Sequence, residues 1–199
     1  MPNPAAAQEP KRQRGHIRVA AILEAGIEVL MEKGFDAATM TEIAARSGTA
    51  IGSLYRFFPS KESLADTLLL QYAQHVTDGL AELERNLADG APAAAADALV
   101  DFMLSLQSQR SFAIALVEGR GAHDAKRLQF REAMRAGIEK IVRKAAPGLT
   151  PARSKAMAVV VLHILKGLAG AGQEKPAPRR TMLAELRALL HMYLAAEHA

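Results

Sequence analysis

The chain has no cysteine and no tryptophan among its 199 residues. Disulfide staples and cysteine metal sites are therefore excluded. Aromatic residues are scarce too, six phenylalanines and three tyrosines, which leaves little of the usual material for a β-rich core. Long apolar runs are also missing. The longest, Ala156 to Leu165, is ten residues with His163 inside it, far below the roughly 20 that a membrane-spanning helix needs. Met1-Pro2-Asn3-Pro4 and the three alanines after it contain no apolar stretch of signal-peptide length, so a cytoplasmic location is expected. The motifs G-x-S-x-G, H-E-x-x-H and the P-loop are absent, and Gly167, Gly170 and Gly172 follow a helical pattern and mark its end. Catalysis is disfavoured on these grounds. His123-Asp124 suits a helix start, and His191 and His198 stand seven apart, so no metal or other cofactor is expected.

What is present favours helices. Half of the chain is apolar, 23% is charged, and forty alanines make up about a fifth of it, which predicts an all-α protein with one or two cores. Net charge is +4 and the pI about 9.5, which allows a nucleic-acid partner without demanding one. Residues 1–15 combine Pro and Ala with Lys11, Arg12 and Arg14 and predict a disordered basic arm; together with Arg18 it is a candidate for a minor groove, or else a solvated tail. From Ile17 the pairs Ile22/Leu23, Gly26/Ile27 and Leu30/Met31 recur every four residues, as one face of a helix that Gly34 stops. Leu64, Leu68, Tyr72, Val76, Leu80, Leu83 and Leu87 mark a helix of about seven turns with Ser60 as N-cap. Further helices are predicted through Leu99 to Leu106, near Ser111 to Glu118, through Leu128 to Val142, after Thr150-Pro151, and through Met182 to Tyr193.

The most informative stretch lies between the first helix and the long one. Thr39-Met40-Thr41-Glu42 has capping-box spacing, and a short helix from it ends at Ser47-Gly48-Thr49. A second short helix runs to Phe58, where Pro59 closes it. Two short helices joined by a glycine turn make a helix-turn-helix, with Ile43, Ala44, Ile51 and Leu54 available to pack the pair. The second helix then presents Thr49, Ala50, Gly52, Ser53 and Arg56, small or hydrogen-bonding side chains that let it approach a major groove. Tyr55 adds a phenol at the groove edge, Lys61 an ammonium beside a helix N-terminus, and Thr39 and Arg46 are candidate phosphate contacts.

In these residues the chain resembles the TetR-type transcriptional repressors. The resemblance is carried by Arg18-x3-Ile22-Leu23-x-Ala25, Gly34-Phe35, Thr39-x3-Ile43-Ala44, Ser47-Gly48-Thr49-Ala50-x-Gly52-x-Leu54-Tyr55-x-Phe57-Phe58 and Lys61-Glu62-x-Leu64. It implies a DNA-binding domain over residues 16–60 and a helical effector-binding and dimerisation domain over 61–199. It also implies a homodimer on a palindromic DNA operator and release by a small-molecule effector. Two departures stand out: Ala50 lacks the usual serine cap, with Thr49 as its substitute, and Phe57 replaces the common polar ring.

For the effector pocket the candidates are Phe102, Met103, Leu106, Phe112, Leu116, Phe130 and Met134, with Glu118, His123 or His163 as polar anchors, core packing being the ordinary alternative. The segment Met157 to Leu168 is apolar nearly all round and must be covered on two sides. Met157, Val160, Val161, Ile164 and Leu168, with Met182, Leu186, Leu189, Leu190 and Tyr193 of the last helix, are therefore assigned to a dimer interface. A helical module that binds polyanions or a protein partner without sequence preference is the competing reading.

Overall fold

A computed structural model describes residues 9–106, 125–170 and 176–196, and the elements they form are helices with no strand among them. In chain order these are α1 (Glu9–Ala37), α2 (Met40–Arg46), α3 (Ile51–Phe57), α4 (Lys61–Asn86), α5 (Pro92–Ser105), α6 (Ala125–Ala145), α7 (Pro151–Gly170) and α8 (Pro176–Ala195). The helix expected near Ser111 to Glu118 falls outside the described residues. So do the side chains of Phe112, Leu116, Glu118 and His123. The chain up to Tyr72 forms one compact unit among the described residues and the chain from Ala73 the other, the division falling within α4. None of the described helices is long and apolar enough to cross a membrane.

In the first unit, α1 already begins at Glu9. Residues 9–15, expected to be an arm without structure, are instead helical. Glu9, Lys11, Arg12, Gln13 and Arg14 are strong helix formers, and adding them to a helix anchored from Ile22 onward avoids the cost of a new nucleus. Gly34 interrupts the helix with a φ of 77°, a conformation that glycine adopts without a Cβ penalty. The core is built from Ile22, Leu23, Val29 and Leu30 of α1, Met40, Ile43 and Ala44 of α2, Leu54 and Phe58 from α3 and its end, and Leu64, Ala65 and Leu68 of α4. Gly26 lets α1 and α4 approach, since a Cβ there would lie 2.9 Å from Leu64 Cδ2.

In the second unit, α6 packs along α7 and α5 along α8. Lys144 closes the C-terminal end of α4 by donating to the Glu84 carbonyl at 2.8 Å, and Gly90 N–H donates to the Lys144 carbonyl at 2.9 Å. Thr150 caps α7 through Oγ1, which accepts from Arg153 N–H at 3.2 Å, and Pro151 follows as the first helical residue. Ser154 is fully buried and donates to Glu139 of α6 at 3.0 Å. Across α5 and α8, Arg187 pairs with Asp97 at 2.6 Å and with Asp101, while His191 Nε2 lies 2.9 Å from Asp97.

Candidate nucleic-acid interface

Two short helices in the first unit, α2 and α3, owe their positions to local chemistry. Thr39 and Glu42 form the full capping box: Glu42 N–H donates to Thr39 Oγ1 at 3.3 Å, and Thr39 N–H donates to the Glu42 carboxylate at 3.2 Å. Thr39 Oγ1 also donates its own proton to Glu42 at 2.9 Å. The hydroxyl proposed for a phosphate is thus engaged within the cap. Gly48, at φ 61°, makes the turn, and Thr49 N–H returns to the Ala44 carbonyl at 2.9 Å. Ile43, Ala44 and Leu54 pack the helix pair as expected.

Two ion pairs tie α2 to α1 at its two ends. Lys33 of α1 meets Glu42 in the first turn, and Arg46 in the last turn forks onto Glu32 at 2.6 and 2.8 Å. The Lys33 ammonium, followed by Thr39, holds the Glu42 carboxyl below the usual range. The Arg46 guanidinium does the same for Glu32. Arg46 itself is pushed up, first by its bond to Glu32. In this structure its guanidinium forms an interhelical fork on Glu32, with the Glu28 carboxylate 3.8 Å away.

The outward face of α3 is composed differently from the expected list. Ala50, Gly52, Tyr55 and Arg56 are exposed and Ser53 is half-buried. Thr49, by contrast, is buried and donates to the Ser47 carbonyl at 3.5 Å, so it belongs to the turn and leaves α3 without a side-chain cap. Ile51 is 41% exposed, on the outer face and not between the helices. Sequence periodicity assigned it inward because it is apolar, yet Ile51 lies three residues before Leu54 and four before Tyr55, and a helix this short has one inward position per turn. No hydrogen bond or ion pair engages the side chains of Ser53, Tyr55 or Arg56 among the described residues, apart from Arg56 lying 5.9 Å above the Phe57 ring. Phe57 is half-buried against the core, which accounts for a phenyl ring in place of a polar one.

Lys61, the first residue of α4, has its ammonium engaged within the chain. Its ammonium donates to the carbonyls of Phe35 at 2.5 Å, Ala38 at 2.9 Å and Asp36 at 3.1 Å. The Phe35 ring lies 4.6 Å from it. An ammonium has three protons, and all three are assigned in this nest. The N-cap of α4 is served separately, Ser63 N–H donating to Ser60 Oγ at 3.1 Å.

The residues expected to line a pocket or a dimer face divide by burial. Met103 and Leu106 are core residues, Phe102 lies over Gly79, and Phe130 and Met134 are half-buried on α6. His163 is exposed on α7, its Nδ1 donating to the Val159 carbonyl at 2.7 Å. Of the interface candidates, Met157, Val161 and Leu190 are buried within their own unit. They face neighbouring helices, because α7 turns one apolar stripe inward and a second outward. Val160 (40%) and Leu189 (45%) are exposed, and Ile164, Met182, Leu186 and Tyr193 are half-buried. Leu168 lies in the last turn of α7, its side chain outside the described ones. Met192, 64% exposed on α8, was not among the candidates because it falls outside the heptad-like stripe.

Residues 22–68, the stretch holding this helix pair and its core, match the family model of bacterial regulatory proteins, tetR family. Over 69 residues, 35% of the chain, it is 38% identical to the HTH-type transcriptional regulator YvdT of Bacillus subtilis (strain 168), covering 34% of that protein. Over 166 residues, 82% of the chain, it is 26% identical to the HTH-type transcriptional repressor DrrR1 of Streptomyces coeruleorubidus, covering 57% of it. The chain thus spans about a third and somewhat over half of the lengths of these relatives. The structure of SmeT in its complex with triclosan superposes with a TM-score of 0.68 at 16% identity over 90% of each chain, a likeness of fold. The capping box, the glycine turn and the inward Ile43, Ala44 and Leu54 all lie within the matched stretch, so it is in this segment that the chain is similar to the tetR family of bacterial regulatory proteins.

Proposed function

We propose that the chain is a sequence-specific DNA-binding transcriptional regulator, a homodimeric repressor released from a palindromic operator by a small-molecule effector. The observation that carries this reading is the outer face of α3, where Ile51, Tyr55 and Arg56 stand exposed beside the small residues Ala50 and Gly52 on a rigidly packed helix. Such a face admits the floor of a major groove: Ile51 offers an apolar contact to a thymine methyl, Arg56 a fork for guanine, Ser53 and Tyr55 hydroxyls for base edges or phosphate. In this reading residues 16–60 read DNA, and 61–199 bind effector and dimerise.

A two-fold pairing through the outward stripe of α7 and α8, with Val160, Ile164, Leu189 and Met192, supplies the second recognition helix. The two recognition helices would then enter major grooves about 34–36 Å apart, one helical turn, or slightly more. The SmeT–triclosan complex supports an apolar small molecule as the class of effector, taken up in the second unit near Phe130 and Met134 of α6. Its effect on the operator equals its differential affinity for the two dimer geometries. Selection of bound duplexes from a random pool tests the reading. One enriched inverted repeat is the expected result, and a pool without enrichment overturns it in favour of polyanion binding.

A further inference from the structure

The Lys61 ammonium sits where the chain leaves the helix-turn-helix and enters α4, yet its bonds run back 23 to 26 residues in sequence to the end of α1. Phe35 and Asp36 supply carbonyls of the last turn of α1, and Ala38 supplies one from the link just before the Thr39 cap of α2. Helix C-terminal carbonyls carry the negative end of the dipole, so a cation is favoured there. The Phe35 face adds a cation–π contact on the same ammonium. From these contacts we infer that Lys61 is a positioning residue: it clamps the first turn of α4 to the α1–α2 junction and so fixes where α2 and α3 stand on that turn. This rests on the DNA-binding reading above and deepens it, since it takes Lys61 out of phosphate contact and makes it a determinant of recognition-helix placement.

The consequence for switching is mechanical. Any displacement of the first turn of α4 either carries the α1–α2 junction along or breaks three charge-assisted hydrogen bonds. The nest also distinguishes the two basic side chains. Three converging carbonyls match the tetrahedral donors of an ammonium, whereas the flat guanidinium fork of arginine matches a phosphate or carboxylate.

Lys61→Arg and Lys61→Met in the full chain test this, with a duplex selected from a random pool by the wild-type protein as the probe. Both variants are expected to bind at least about tenfold more weakly, as loss of one charge-assisted bond implies, with the slope of log K against log salt unchanged. Hydrogen exchange without DNA is expected to be faster for the α2 amides, residues 40–46, and unchanged in α7. Retained affinity in Lys61→Arg with a slope lower by about 0.9 in Lys61→Met identifies a phosphate contact and overturns the inference. Lowered thermal stability with wild-type affinity in both variants shows a fold-holding role alone and overturns it too. If the wild-type chain enriches no duplex, the DNA-binding reading falls by itself. The clamp is then judged by exchange, and unchanged α2 exchange in both variants overturns it.

Discussion

Arg46 of α2 places both terminal guanidinium nitrogens on the Glu32 carboxylate of α1, at 2.6 and 2.8 Å, with Glu28 3.8 Å from one of them. These side chains are a third or more exposed, so the pair contributes little to stability. It ties the last turn of α2 to α1 and keeps negative charge beside the helix that precedes α3.

Because its fork is already occupied, Arg46→Ala is expected to leave the salt dependence of DNA binding unchanged. Glu32→Gln, which removes a repelling charge and frees the guanidinium, is expected to tighten binding and steepen that dependence. Fluorescence anisotropy on a selected duplex over a salt series reads both. A slope lower by about 0.9 in Arg46→Ala would return Arg46 to the phosphate contacts.

Under the proposed function, base readout falls to Arg56 and, at the groove floor, to Ile51. Arg56→Ala is expected to relax preference at one base pair of each half-site, a cost of about 1–3 kcal/mol for that pair. Ile51→Ala is expected to weaken discrimination for thymine. Tyr55→Phe is expected to weaken binding to all sequences alike. Repeating the duplex selection with each variant measures these outcomes, and an unchanged logo for Arg56→Ala removes it from readout.

Acid stability follows from three carboxyls. Glu32 and Glu42 are lowered by Arg46 and Lys33, and Asp97 is lowered by His191 and then Arg187. A carboxyl with a depressed folded pKa stabilises the fold above its unfolded value, about 3.9 for Asp and 4.3 for Glu, and that contribution is lost as pH falls through the folded value. The urea midpoint is therefore expected to fall on the acid side of those values. Asp97→Asn is expected to give a shallower acid limb, and a limb as steep as wild type would deny Asp97 its part.

Gly79 of α4 lies under the Phe102 ring of α5, and a Cβ built there would be 2.3 Å from Cε2 and Cζ. Gly79→Ala is expected to cost about 1–3 kcal/mol as the ring is displaced. Phe102→Ala in the same chain is expected to make the added methyl harmless. Urea unfolding of the single and double variants gives the coupling, and additivity would show that the two do not meet.

The proposed dimer face on α7 and α8 is separable from the fold by substitution. Val160→Glu or Met192→Glu, at exposed positions, is expected to give a folded monomer with weakened operator binding in sedimentation velocity. Leu190→Ala, at a fully buried one, is expected to destabilise by about 2–5 kcal/mol. A dimer that survives both glutamates would move the interface elsewhere.

Several elements were legible in the sequence for local reasons. The capping box at Thr39 and Glu42, the glycine breaks at Gly34 and Gly48, and the Pro151 helix start each depend on residues within four of one another. Thr49 and Ile51 went the other way, the first inward and the second outward. A seven-residue helix gives periodicity too few turns to tell which side faces the core. The first turns of α1 were missed because a polar, charged segment has no apolar period to show, although its residues extend an existing helix readily.

Charge type and charge partner divide along the same line. Composition and pattern decided that this chain is helical, that a capped helix pair joined by a glycine turn precedes a long amphipathic helix, and that Arg46 and Lys61 carry positive charge near it. Those are properties of neighbours along the chain. Only the tertiary structure decided that Arg46 answers Glu32 fourteen residues back and that Lys61 answers three carbonyls more than twenty residues back. A cation is attracted to whatever unsatisfied acceptor folding brings within reach, and that distance is set by how helices pack.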